Sequence, residues 1–136
     1  MAALEKNPLD PDALAKLGNF AYDREQYLIA TNYYEQALRI QPDNRNVRTD
    51  LATAYFHLGE ADHAITEFDK VLKADPTCAN ALFNLGLVKW YSKKDGKGAV
   101  AAWERLLAST PDYKERDTVR RLIVQAKAAT TVRRTR

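Results

Sequence analysis

The chain has 136 residues, of which 46% are hydrophobic and 29% charged. That suits one folded domain or a short stack of repeats, and excludes a disordered or bilayer-spanning chain. The net charge of +3 is divided unevenly: residues 1–112 carry 13 Lys/Arg against 16 Asp/Glu, and residues 113–136 carry 8 against 2. A single cysteine, Cys78, excludes an internal disulfide.

The opening MAALEKNPLD has no apolar run of the kind a signal peptide needs. It reads as the tail of a helix, so an earlier element is expected before it. The longest uncharged run, residues 76–88, falls short of the roughly 20 apolar residues that cross a bilayer. Prolines at 8, 42, 76 and 111 then divide the chain at spacings of 34, 34 and 35. Such a period is the mark of a repeat architecture.

Each segment opens on a Leu followed by a small residue: Leu17–Gly18, Leu51–Ala52 and Leu85–Gly86. Each then has an Ala (Ala30, Ala64, Ala99) and an aromatic four residues later (Tyr34, Phe68, Trp103). Small residues let two helices approach closely, and the aromatic fills the space beside them. Proline ends the second helix because it cannot donate to one and disfavours helix in its predecessor. Gly59 suits a left-handed cap between helices. In chain order the pattern predicts helices over about 12–24, 28–40, 46–58, 62–74, 80–92, 97–109 and 113–128. The third segment carries one extra residue in SKKDGKG, which predicts a lengthened exposed turn. It does not match a phosphate loop, which needs G-x-x-x-x-G-K-[ST] after a strand. Val119, Leu122, Ile123 and Ala126 share one face of the last helix, as expected of a helix that shields the final repeat from water.

This pattern resembles the tetratricopeptide repeat. The resemblance implies an all-α, right-handed superhelix of stacked helix–turn–helix units. Repeats are expected at residues 11–44, 45–78 and 79–111, with a capping helix at 112–129 and a disordered basic tail at 130–136. Residues 1–10 are then the end of a preceding partial repeat. Arg48 departs from the family, which often has an aromatic or Leu there, and should weaken one contact between repeats.

No enzyme signature is present, and no cofactor or metal is expected. His57, His63 and Cys78 do not have a zinc spacing. Ser92 and Ser109 lack the neighbouring base and orienting group of a nucleophile. What remains is a surface. In stacked hairpins the first helix of each repeat lines the concave side. The face away from the packing positions then offers Asp12, Lys16, Asn19, Tyr22 and Asp23 from the first repeat. It offers Asn46, Thr49, Asp50, Thr53, Phe56 and His57 from the second, and Asn80, Phe83, Asn84, Leu87, Trp90 and Tyr91 from the third. Asparagine both donates and accepts, matching the edge of an extended peptide. Aromatics supply contact area at little cost in entropy. The competing expectation is that Phe83, Leu87 and Trp90 pack against a neighbouring helix, Trp90 above all.

The co-chaperone branch of the family grips an acidic C-terminus with Lys and Asn, then Asn, then Lys and Arg. Only Asn19 matches; the other places hold Ala15, Asp50, Asn80 and Asn84, and Asp50 would repel a carboxylate. That clamp is not expected. The chain is similar to bacterial scaffolding repeats, among them soluble domains of the cytochrome c maturation machinery whose groove takes the end of an apocytochrome. The strings behind this likeness, such as ALFNLGLVKW and AAWERLLASTPDYKERDTVRRLI, are shared by many bacterial repeat proteins. The expected function is a non-catalytic module binding a peptide or helix of a protein partner. The alternative is a self-associating adaptor whose groove takes a neighbouring molecule's terminal helix. Arg133, Arg134 and Arg136 have no interleaved aromatics for stacking bases, so no specific nucleic-acid contact is expected.

Overall fold

Helix-starting and helix-stopping residues recur at fixed offsets from the prolines, and the computed structural model describes residues 10–135, with the side chains of 10–129. Among these the regular structure is all helical. The helices are α1 (Pro11–Asp23), α2 (Tyr27–Ile40), α3 (Arg45–His57), α4 (Ala61–Ala74), α5 (Ala79–Leu87), α6 (Gly96–Ser109) and α7 (Arg116–Thr135). Residues 1–9, expected to end a preceding repeat, lie outside the described residues, as does Arg136. The chain divides into two compact units, residues 1–67 and 68–136, with the boundary inside α4.

Short polar side chains begin the helices by satisfying otherwise unpaired amides. The Asp10 carboxylate accepts from the Asp12 and Ala13 amides at 3.0 and 3.3 Å, with Pro11 in the first turn. Asn44 accepts from Val47 at 3.1 Å, and Asp95 from Gly98 at 2.9 Å. Between paired helices the chain turns through a left-handed residue each time: Glu25 (φ 60°), Gly59 (φ 78°) and Lys94 (φ 56°). The expected glycine cap is thus found, and two ordinary residues adopt the same strained geometry.

In the first unit the core comprises Leu14, Ala21, Ala30, Tyr34, Ala37, Leu38, Val47 and Leu51. The small residue at 18 is required by distance: a Cβ there would lie 2.5 Å from Tyr34 Cε1. The second unit repeats the device. A Cβ on Gly86 would run into the buried Trp103 indole, whose Nε1–H donates to the Phe83 carbonyl at 3.1 Å. Val119, Ile123 and Ala126 of α7 are buried within this unit, where α7 packs on α6.

Four expectations are corrected. The extra residue of the third repeat does not lengthen the exposed turn. It is absorbed inside the first helix, where Val88–Ser92 forms one π-helical turn following α5. A backbone bond counts the insertion. The turn is closed by Gln26 N–H to Ala21 O and by Glu60 N–H to Tyr55 O, five residues back, but by Asp95 N–H to Lys89 O, six back. Such wide turns are the usual way a helix stores one added residue.

Arg48 does not leave a weak contact. Its guanidinium meets the Glu67 carboxylate of α4 at 2.6 Å and donates to the Pro42 carbonyl at 3.0 Å, so an ion pair does the work of an apolar side chain. Helix α7 begins at Arg116, after turns over residues 111–115, rather than at 113. It also runs to Thr135, through the segment expected to be disordered; no proline or glycine interrupts it.

The left-handed turns generate a stability prediction. Glu25→Gly and Lys94→Gly each raise stability by about 0.5–1 kcal/mol, because a Cβ is strained at these φ values. Gly59→Ala lowers it by about 1 kcal/mol, and Gly86→Ala by about 1–3 kcal/mol through overpacking against the indole. Urea unfolding followed by circular dichroism reads all four; a destabilising Lys94→Gly refutes the strain argument.

Candidate functional site

In the first unit, the stripe on α1 and the stripe on α3 meet through their aromatic and acidic residues. Asn19 is exposed, and its side-chain oxygen accepts from the Tyr34 hydroxyl at 2.7 Å. The aromatic that fills the space at Gly18 therefore also orients the asparagine beside it. Tyr22 meets Tyr27 edge-on at 5.3 Å and His57 edge-on at 5.8 Å, and Tyr27 stacks on His57 at 4.5 Å. Phe56 lies 5.8 Å from His57. This ring cluster joins the end of α1, the start of α2 and the end of α3. Tyr27 was not among the expected site residues; only its place at the first turn of α2 hinted at it.

Asp50 is exposed to water, yet the protein around it removes enough hydration to raise its pKa from 3.8 to about 6. Its carboxylate carries no hydrogen bond or ion pair among the described residues. Burial chiefly, with the charges of Asp50 and Asp23 behind it, raises the Tyr22 and Tyr34 phenols above their ordinary range. These groups therefore share one neighbourhood. Asp12 and Asn46 are exposed on the same stripes. Thr49 and Thr53 instead turn their hydroxyls back, donating to the Arg45 and Thr49 carbonyls at 2.8 Å each.

In the second unit, α5 separates its two apolar sides. Ala81, Leu82, Leu85 and Val88 are buried, whereas Phe83, Asn84, Leu87 and Trp90 are half-buried and Asn80 and Tyr91 exposed. Phe83 lies 6.3 Å from Tyr113, in the turn before α7. The packing expected of Phe83 is therefore partly met by a residue that was not singled out. Trp90 is neither core nor free surface.

A shallow cleft of about 280 Å³ in the first unit lies beside Arg48 and Glu67, where the Tyr55 hydroxyl donates to the Glu35 carboxylate. Its polar groups are largely engaged with one another, so it reads as a structural network. Among the described residues no group of three or more His, Cys, Asp or Glu could hold a metal ion. No described helix is long and apolar enough to cross a membrane.

Paired helices and close-packed small residues, with an exposed polar-aromatic face, define a helical-repeat fold. Residues 21–85 match the family model described as Tetratricopeptide repeat, so that stretch of the chain carries the repeat pattern. The heat-shock protein cognate co-chaperone sgt12 of Aspergillus fumigatus is 33% identical over 96 residues, which cover 71% of this chain and 28% of that protein. The chain thus spans about a quarter of that relative's length, and only 13% of mouse tetratricopeptide repeat protein 12, another relative. The Sgt2 repeat domain from Aspergillus fumigatus superposes with a TM-score of 0.82 at 28% identity, covering 93% of this chain and 82% of that one. The first repeat domain of Spaghetti (RPAP3), solved with the HSP90 peptide SRMEEVD, gives 0.78 at 24% identity, covering 87% and 93%. The named relatives are thus a fungal and a mouse protein.

The Asp50 shift fixes a pH dependence. Folded Asp50 holds a proton that the unfolded chain releases above pH 3.8, so its carboxyl subtracts stability as pH rises towards 6. Asp50→Asn should match the parent at the acid end of this window and become progressively more stable than it towards neutrality. Urea midpoints across the window check this; a constant difference at every pH contradicts it.

Proposed function

We propose that the chain is a non-catalytic docking module that receives a segment of a protein partner on the exposed stripes of its first helices. The observation that carries this reading is the α1–α3 face. There Asn19 is held by Tyr34, beside Tyr22, Asp50 and the Tyr27–His57 stack. Asn46, Thr49, Thr53 and Phe56 extend that face, and Asn80, Phe83, Asn84, Leu87, Trp90 and Tyr91 form the corresponding stripe of the second unit. Fixed aromatic rings and asparagine amides suit a bound backbone, one giving area and the other hydrogen bonds.

The co-chaperone relative and the peptide-bound RPAP3 domain support peptide docking as the class of activity. They do not supply this chain's ligand. The RPAP3 peptide is acidic, whereas this chain has Asp50 in the middle of its first face, unpaired among the described residues. The partner's segment should therefore not be acidic where it passes Asp50. The likeness to bacterial cytochrome c maturation repeats has no counterpart among the relatives named above, so the proposal names no pathway.

A panel of peptides differing in charge and aromatic content tests the reading by fluorescence anisotropy. Binding is expected near micromolar, about −8 kcal/mol. Tyr22→Ala with Asn84→Ala should weaken it at least about tenfold, about 1.4 kcal/mol, while circular dichroism stays unchanged. Affinity unaffected by the double substitution refutes the assigned faces.

A further inference from the structure

The α1–α3 face is anionic, and among the described residues of the first unit its carboxylates are not neutralised. Asp12, Asp23 and Asp50 are exposed, and their carboxylates carry no hydrogen bond or ion pair among the described residues. Neighbouring arginines are committed elsewhere: Arg24 lies over the Phe20 ring at 3.6 Å, and Arg48 pairs with Glu67. Lys16 is the one basic residue on the α1 stripe. Acidic residues alone would not define a site. Here they flank an aromatic cluster and an oriented asparagine, and they specify the charge of whatever docks there.

A matching surface exists in the same chain. Helix α7 is held to its own unit by Val119, Ile123 and Ala126, which leaves Arg116, Arg120, Val124 and Lys127 exposed. Their spacing puts them on one helix face. Val124 is 66% exposed, a large apolar side chain in the centre of a basic stripe. Arg116 donates to the Tyr113 carbonyl at 3.4 Å, and the ion pairs of Arg120 with Asp117 and of Lys127 with Glu104, at 3.3 Å each, are solvent-exposed.

Asp12 and Asp23 are separated along α1 by the same interval as Arg116 and Lys127 along α7, about 16 Å at 1.5 Å per residue. Laid antiparallel, Asp12 faces Lys127, Asn19 faces Arg120 and Asp23 faces Arg116. Val124 then falls at Ala15 and Lys16, so no arginine confronts the lysine. The parallel register would set Lys16 against Arg120.

We propose that the α1–α3 face docks the basic stripe of α7 from a second copy of this chain. The proposal rests on the reading of that face as a docking surface and names its occupant. The two contacting surfaces differ, so the contact is heterologous, and its charge pairs are screened by salt.

Sedimentation velocity on the full chain tests this across a concentration series at low and high salt. The expected result is an average mass that rises with concentration at low salt and returns to the monomer at high salt. Asp12→Arg with Asp23→Arg should abolish association, as should Arg116→Glu with Arg120→Glu, with helical circular dichroism retained in both. Mixing the two variants should restore one contact and stop there, giving a one-to-one dimer, because each supplies the surface the other lacks. A monomer at every concentration overturns the proposal, as does association that neither charge reversal affects. A monomer that binds a Lys/Arg-rich peptide, lost on Asp12→Arg with Asp23→Arg, overturns the second copy as occupant and leaves the docking face standing. A monomer that binds neither peptide nor copy overturns both readings.

Discussion

The close approach of paired helices at a residue without a side chain is the constraint on which the rest depends. Gly18 admits the Tyr34 ring and Gly86 admits the Trp103 indole, and in each case the aromatic reaches across with its polar atom. Tyr34 donates to Asn19 and Trp103 to the Phe83 carbonyl. Each ring therefore fixes the separation of two helices and also the state of a group at or beside the exposed stripe. Packing and display are coupled through a single side chain. The first repeat spends this coupling on an asparagine and the third on a backbone carbonyl, which makes the two faces chemically different although their cores follow one rule.

Charge is arranged by a different logic from packing. Arg48 and Glu67 are 17% and 12% exposed, and Arg48 stands where the resemblance to the repeat family leads one to expect an aromatic or Leu. Pairing and hydrogen bonding offset the cost of removing such groups from water. Asp50 is the opposite case. It has no compensating partner among the described residues and holds its proton to higher pH as a consequence. A repeat fold tolerates this because the cost is confined to one exposed face, while the cores beneath it remain apolar.

The repeat period, the small-and-aromatic pairing and the helix order were legible because each is written several times in the chain. Three copies of Leu–small, Ala and aromatic leave little freedom in how they align. The position of the extra residue was not legible. An insertion anywhere between Trp90 and Gly98 gives the same change in proline spacing, and only backbone bonds distinguish a wide helical turn from a long loop. The ring contacts of Tyr22, Tyr27 and His57 were half legible, since two lie on the expected stripes and the third comes from a different helix. Phe83 with Tyr113 is similar. The α7 end was misread because a short basic segment resembles a tail, although alanines and the absence of breakers also favour helix.

The π-helical turn at Val88–Ser92 has a consequence for how such a chain diversifies. Within the wide turn the added residue moves the side chains off their α-helical spacing, while the left-handed turn and the cap at Asp95 keep the form seen in the other repeats. The joints between helices are thus insulated from the change, and the phase of the displayed side chains is not. Trp90 and Tyr91 occupy the wide turn, one half-buried and the other exposed. A single-codon insertion in this fold behaves like a dial set in one rod of a rack: the rack keeps its spacing, and the rod shows a different side at that turn.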